Sequence, residues 1–195
     1  MKKITIALIM VISLIAPIQT MAESVTQNGT IIEPLEQNIE QIIDEITSEP
    51  RPINSDAIQN VKEYISEYFG NQGYDNIEYQ KFEYNDENNE NAIRHSSQAD
   101  VFLASTAENA IVDGIGENII VTKNSSIDTT KNLIISAHYD SAEDSVGAND
   151  NGSGVAAVLE LARILKDTEI PYNIKFILFS GEEKYMLGSR WYVGK

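Results

Sequence analysis

The chain has 195 residues, of which 42% are hydrophobic and 23% charged, with a formal net charge of -16 at pH 7 and no cysteine. So acidic a polypeptide avoids nucleic acid and anionic membrane surfaces, and without thiols it has neither a disulfide framework nor a lipidated cysteine. The acidity is spread along the chain and reads as solubility rather than as a binding patch.

At the amino terminus, Lys2 and Lys3 precede an apolar run from Ile4 to Ala16, followed by the small-residue stretch Thr20-Met21-Ala22. The run is well short of the roughly 20 residues that a bilayer span needs, so residues 1–22 read as a secretory signal peptide. The expectation is a secreted, extracellular protein without membrane contact after cleavage. In residues 23–52, Leu35, Ile39, Ile42, Ile43 and Ile46 recur at helical spacing and predict one amphipathic helix ending before Pro50. That segment is either a pro-region or an N-terminal brace, and the spacing leaves both open. Ser55 or Asp56 can cap a second helix, with Ile58, Val61, Ile65 and Tyr68 as its buried stripe and Gly70 as its stop. Ile77 to Tyr84 alternates apolar with polar residues and predicts a half-buried strand. Asn85 to Gln98, rich in Asn and Glu, is expected to be a surface loop holding His95, which has no role because nothing near it has ligand spacing. Gly114 and Gly116 are expected to bracket a turn before a strand from Asn118 to Thr122, with Asn124 to Lys131 as a polar, hairpin-like link.

Chemistry concentrates between Leu133 and Ser189. The apolar run Leu133-Ile134-Ile135 predicts a buried strand that delivers Ser136-Ala137-His138-Tyr139-Asp140-Ser141 at its carboxyl end. A turn-rich stretch, Gly147-Ala148-Asn149-Asp150-Asn151-Gly152-Ser153-Gly154, then opens onto a helix from Val155 to Lys166. A second apolar strand, Ile174 to Phe179, leads to Ser180-Gly181-Glu182-Glu183. Two strands joined by one helix form a βαβ unit with both carboxyl ends on one edge, where open α/β sheets hold their sites. The mixture of one imidazole and several carboxylates suits zinc.

Each cluster alone has a plainer reading, as a satisfied structural histidine, a surface Glu pair or an Asn-rich turn. Other motifs fail on spacing. With Gly152 at the sixth position of a calcium loop, the first and twelfth positions would be Gly147 and Val158, neither a carboxylate. Ser153 is flanked directly by glycines rather than at Gly-x-Ser-x-Gly spacing, and the His-Glu-x-x-His motif is absent.

The joint order of these clusters resembles the co-catalytic di-zinc aminopeptidases, the family that includes glutamate carboxypeptidase II and, more distantly, the glutaminyl cyclases. The resemblance covers roughly Pro52 to Lys195 and is specific from Leu133 onward. It implies that His138 binds one zinc, that Glu183 binds the other and that Asp150 bridges the two. It makes Glu182 the general base that takes a proton from the attacking water, and Asp140 the partner of the second His138 nitrogen. It further implies a cis peptide bond between Asp150 and Asn151, and it places Tyr185 where the family has glycine. Family members continue further, supplying an Asp, a His and more strands.

The expected fold is therefore α/β, a three-layer sandwich whose mixed, largely parallel sheet is flanked by helices and is incomplete at the C-terminus. Residues 53–195 would form the first part of a zinc peptidase catalytic domain. The expected activity is that of an aminopeptidase acting on peptides or proteins with two zinc ions. The alternatives are a carboxypeptidase of the same family or an inactive secreted interaction module. Residues 23–195 alone are expected to be poorly soluble, to hold less than one zinc per chain and to expose an open edge at Ile174 to Phe179.

Overall fold

The computed structural model describes residues 25–27, 30–32, 34–84 and 114–194. The residues read as a signal peptide and the loop containing His95 lie outside them. A short antiparallel ribbon, β1 (Val25–Gln27) and β2 (Thr30–Ile32), comes first. Helix α1 (Glu36–Ile46) follows, and its apolar stripe buries Ile42 and Ile46. Helix α2 (Asp56–Asn71) is capped by Ser55, whose Oγ accepts the Ile58 N–H at 3.1 Å. It runs through Gly70 to Asn71, and Gly73, just beyond its end, takes φ +84°. Its fully buried aromatic is Phe69, whereas Tyr68 is half-buried and accepts from Asn38.

Strand β3 (Ile77–Tyr84) pairs antiparallel with β4 (Gly114–Lys123) along its whole length. Gly114 and Gly116 are thus strand residues, not a turn. Gly116 stands opposite Phe82, and a Cβ there would lie 2.1 Å from the Phe82 ring, so glycine is required by the ring above it. Strands β5 (Asn132–His138) and β6 (Asn173–Phe179) are joined through α3 (Ser153–Leu165). A last helix, α4 (Leu187–Val193), follows.

The sheet order is β3-β4-β6-β5 and the sheet is mixed. Parallel pairing, expected to predominate, is confined among the described residues to β5 and β6, while β3-β4 and β4-β6 are antiparallel. Strand β6 is central and β5 lies at the edge. Among the described residues the open parallel edge is therefore at β5 and not at Ile174 to Phe179, and the link from β4 to β5 passes beyond β6 rather than closing a hairpin. Edge placement also explains why Leu133 and Ile134, expected to be buried, are 39% and 49% exposed.

Alternation of side chains across the strands gives the sheet two covered faces. On one, Ile119, Val121, Ile174, Phe176 and Leu178 pack with the apolar stripes of α1, α2 and α3. On the other, Phe82 and Tyr84 pack with Leu187 and Trp191 of α4 and with Ile53. The result is helix, sheet, helix. Among the described residues, no helix is long and apolar enough to cross a membrane.

Candidate metal centre

The parallel register of β5 and β6 sets His138 beside Phe179, so the residues after both strands emerge at one edge of the sheet. His138, Glu182 and Glu183 each bring one ligand atom to within 4.8 Å of the others. Asp150 joins them, its Oδ1 3.0 Å from His138 Nε2, and Glu182 Oε2 lies 3.8 Å from the same nitrogen. Asp150 sits in the turn Ala148–Gly152, which opens with Gly147 at φ +59°. Its peptide bond to Asn151 is cis, as the resemblance implies.

Asp140 is fully buried and does more than the single contact foreseen for it. His138 Nδ1 lies 3.5 Å from its Oδ1 and 3.2 Å from its backbone carbonyl oxygen. The carboxylate also accepts the backbone N–H groups of Glu182 and Glu183, each at 3.1 Å. One carboxylate thus orients the imidazole and fixes the start of the Glu182-Glu183 segment.

Two organising residues, Arg51 and Asn118, carry no motif in the sequence, and a third, Ser141, stands there only as the last residue of the His138 cluster. Arg51 is fully buried and donates to the carbonyl oxygens of Tyr139 (2.7 Å), Val146 and Gly147 (3.1 Å). Ser141 accepts the Arg51 N–H at 2.9 Å. Asn118, also fully buried, donates to Gly188 O and accepts from Ser180 N, tying the end of β6 to the start of α4. A Cβ on Gly188 would come within 2.2 Å of Asn118 Oδ1, which explains the glycine. Gly181, Tyr185 and Met186 take φ of +71°, +64° and +59°, so the segment after β6 folds back tightly, and Tyr185 adopts the left-handed backbone for which glycine is the usual residue.

Charge crowding is visible in the proton affinities of the metal-free site. Burial lowers the pKa of His138, but the Asp140, Glu182 and Asp150 carboxylates outweigh it and raise the value to about 9. Burial, then the charge of Asp150, pushes Glu183 above its ordinary value, with His138 opposing. Burial lowers Arg51, against the pull of Asp140 and Glu183. A nest of carboxylates around one imidazole is the donor set zinc takes, and the ligand atoms of His138, Glu182 and Glu183 lie close together. The residues fit the metal.

Residues 118–195 match the model of Peptidase family M28. Over that stretch the chain resembles an M28 peptidase domain. Over 85 residues it is 44% identical to Aminopeptidase YwaD of Bacillus subtilis, an alignment covering 43% of this chain and 19% of that protein. Over 148 residues it is 32% identical to a Vacuolar membrane protease of Schizosaccharomyces japonicus, covering 76% of this chain and 16% of that protein. Among solved structures, the zinc aminopeptidase BSAP from Bacillus subtilis superposes with a TM-score of 0.64 at 18% identity, covering 81% of this chain and 64% of that one. Porphyromonas gingivalis glutaminyl cyclase does so with 0.60 at 18% identity, covering 80% and 51%. At such identities the structural likeness speaks for the fold alone. The chain spans less than a fifth of these two curated relatives and just under two thirds of the BSAP chain.

These relatives correct one expectation. Vacuolar membrane proteases from several yeasts match at about 30% identity, some over roughly three quarters of this chain, and they are named for the vacuolar membrane. A secreted, extracellular location is therefore withdrawn.

Proposed function

We propose that this protein is a zinc-dependent exopeptidase, an aminopeptidase that hydrolyses the N-terminal peptide bond of peptides, with two zinc ions in the complete site. The observation that carries the reading is the approach of His138, Glu182 and Glu183 ligand atoms to within 4.8 Å of one another at the carboxyl ends of β5 and β6. His138 and Glu183 would each hold one ion and Asp150 would bridge them. Zinc supplies Lewis acidity and makes water acidic enough to attack near neutral pH.

The chain's own residues do the rest. Asp140 holds the Nδ1 side of His138, which leaves Nε2 aimed at the site, where Asp150 and Glu182 already face it. Glu182 has a half-exposed carboxylate beside these groups and acts as general base. It takes a proton from the attacking water and returns one to the leaving amine, so that the C–N bond breaks with charge balanced. Its backbone is pinned by Asp140, which keeps the carboxylate in reach.

The test is hydrolysis of aminoacyl-nitroanilides by the full-length protein, with N-blocked analogues alongside. Cleavage of the free-amine substrates that a chelator abolishes and zinc restores is the expected result. Cleavage that ignores the chelator, or no cleavage by protein loaded with zinc, contradicts the reading.

A further inference from the structure

Arg51 is a fully buried cation on a segment that carries none of the proposed ligands, yet its side chain reaches both segments that carry the first two. Its Nε donates at 2.7 Å to the carbonyl of Tyr139, the residue between His138 and Asp140. Its terminal nitrogens donate to the carbonyls of Val146 and Gly147. Gly147 opens the turn that holds Asp150, and the Gly152 N–H closes that turn on the same Gly147 oxygen at 2.9 Å. The main chain of Arg51 is locked as well, donating to Ser141 Oγ at 2.9 Å and accepting the Ser141 N–H at 3.2 Å. Packing is close: a Cβ on Gly147 would lie 3.3 Å from the guanidinium, and one on Gly152 would lie 2.8 Å from Thr47 Cγ2.

We infer that Arg51 is a positioning residue that sets the distance between the His138-Asp140 strand end and the Asp150 turn, and that residues 34–52, which deliver it, are a permanent brace of the domain. The inference rests on the metal reading above and names what holds that site in register. Arginine suits the task because its planar fork presents several N–H donors at fixed angles, whereas a lysine ammonium is a single point that cannot reach three carbonyls in this arrangement. Zinc tolerates little displacement, since ligand bonds are about 2 Å long and a site loosened by about 1 Å loses its metal geometry. The brace is anchored independently at its other end. Glu160 of α3 accepts the Leu35 N–H at 2.8 Å and the Asn38 side-chain amide, while Ile42 and Ile46 are buried. A removable pro-region would take the guanidinium donor from the Tyr139 and Val146 carbonyls and leave Gly147 with the Gly152 N–H alone, opening the joint between the strand end and the turn.

The experiment compares zinc affinity by chelator competition, and the visible spectrum of the cobalt form, in full-length wild type, Arg51→Lys, Ser141→Ala and Glu160→Gln. Glu160→Gln loosens the far end of the brace and serves as the control for general destabilisation. It should lower the Tm while leaving zinc affinity and the cobalt spectrum as in wild type. Arg51→Lys should weaken zinc binding by roughly 10- to 100-fold and alter the spectrum, the range seen when partners of metal ligands are removed. Ser141→Ala, which frees only the Arg51 backbone, should do the same by a smaller factor and stands in if Arg51→Lys does not fold. Mass spectrometry of the active protein should find an N-terminus upstream of Leu35. Zinc affinity and spectrum unchanged in whichever of the two variants folds, or an active form beginning after Arg51, overturns the inference. A wild type that binds no zinc overturns the metal reading itself.

Discussion

The Oδ2 of buried Asp140 accepts the backbone N–H of Glu183 at 3.1 Å, so a residue two positions beyond His138 fixes a residue at the end of the neighbouring strand. With Oδ1 doing the same for Glu182, both acceptor oxygens are committed. Asp140→Asn would set an amide NH2 against one of these N–H groups. It should cost about 2 to 3 kcal/mol, the range for losing a hydrogen bond to a buried charge, measured by denaturant unfolding of the metal-free protein. Zinc affinity should fall in parallel by roughly 10- to 100-fold.

Tyr185 and Gly181 share a left-handed backbone, at φ +64° and +71°, but only one is a glycine. A side chain in that region costs roughly 1 kcal/mol or more. Tyr185→Gly should therefore be neutral to stabilising by up to about 1 kcal/mol, the looser unfolded chain offsetting part of the gain. Gly181→Ala should destabilise by more than about 1 kcal/mol, because its Cβ would also meet Ile53 Cδ1 at 3.0 Å. Urea midpoints at constant m-value decide both.

Glu160 gives the fold an acid-sensitive tie. Burial alone would raise its pKa, but the guanidinium of Arg163 at 2.7 and 2.9 Å, with Leu35 N–H and Asn38, holds it below the ordinary value of 4.5. A carboxyl whose pKa is depressed by folding stabilises above its unfolded value and loses that contribution as pH falls through the folded one. Stability of the metal-free protein should accordingly decline below about pH 4.5. Glu160→Gln should cost about 2 kcal/mol at pH 7 and progressively less as the pH drops toward 3, measured by unfolding at each pH.

Much of the site's frame was legible because it is local. The Ser55 cap, the strand from Ile77 to Tyr84, and the strand-turn-helix-strand run from Asn132 to Phe179 follow from side-chain periods and turn residues that act within a few positions. Strand order was not legible, since no local pattern says that β4 pairs antiparallel with β6 and leaves β5 at the edge with Leu133 and Ile134 exposed. Gly114 and Gly116 suggested a turn because glycine punctuates chains, yet Gly116 is there to accommodate Phe82 from another strand. Arg51 and Asn118 were silent for the same reason. A buried arginine or asparagine has no spacing signature, and its partners at Tyr139, Gly147 and Gly188 are about 70 to 96 residues away.

The most direct test separates the two adjacent glutamates in the full-length protein: zinc content and turnover of Glu182→Gln beside Glu183→Gln. An amide keeps the shape of the side chain but cannot take a proton, so Glu182→Gln should retain its zinc while turnover falls by roughly 100- to 10,000-fold. Glu183→Gln should lose much of its metal, because it removes a charged ligand. Equal metal loss in the two variants would contradict the assignment of Glu182 as base and Glu183 as ligand.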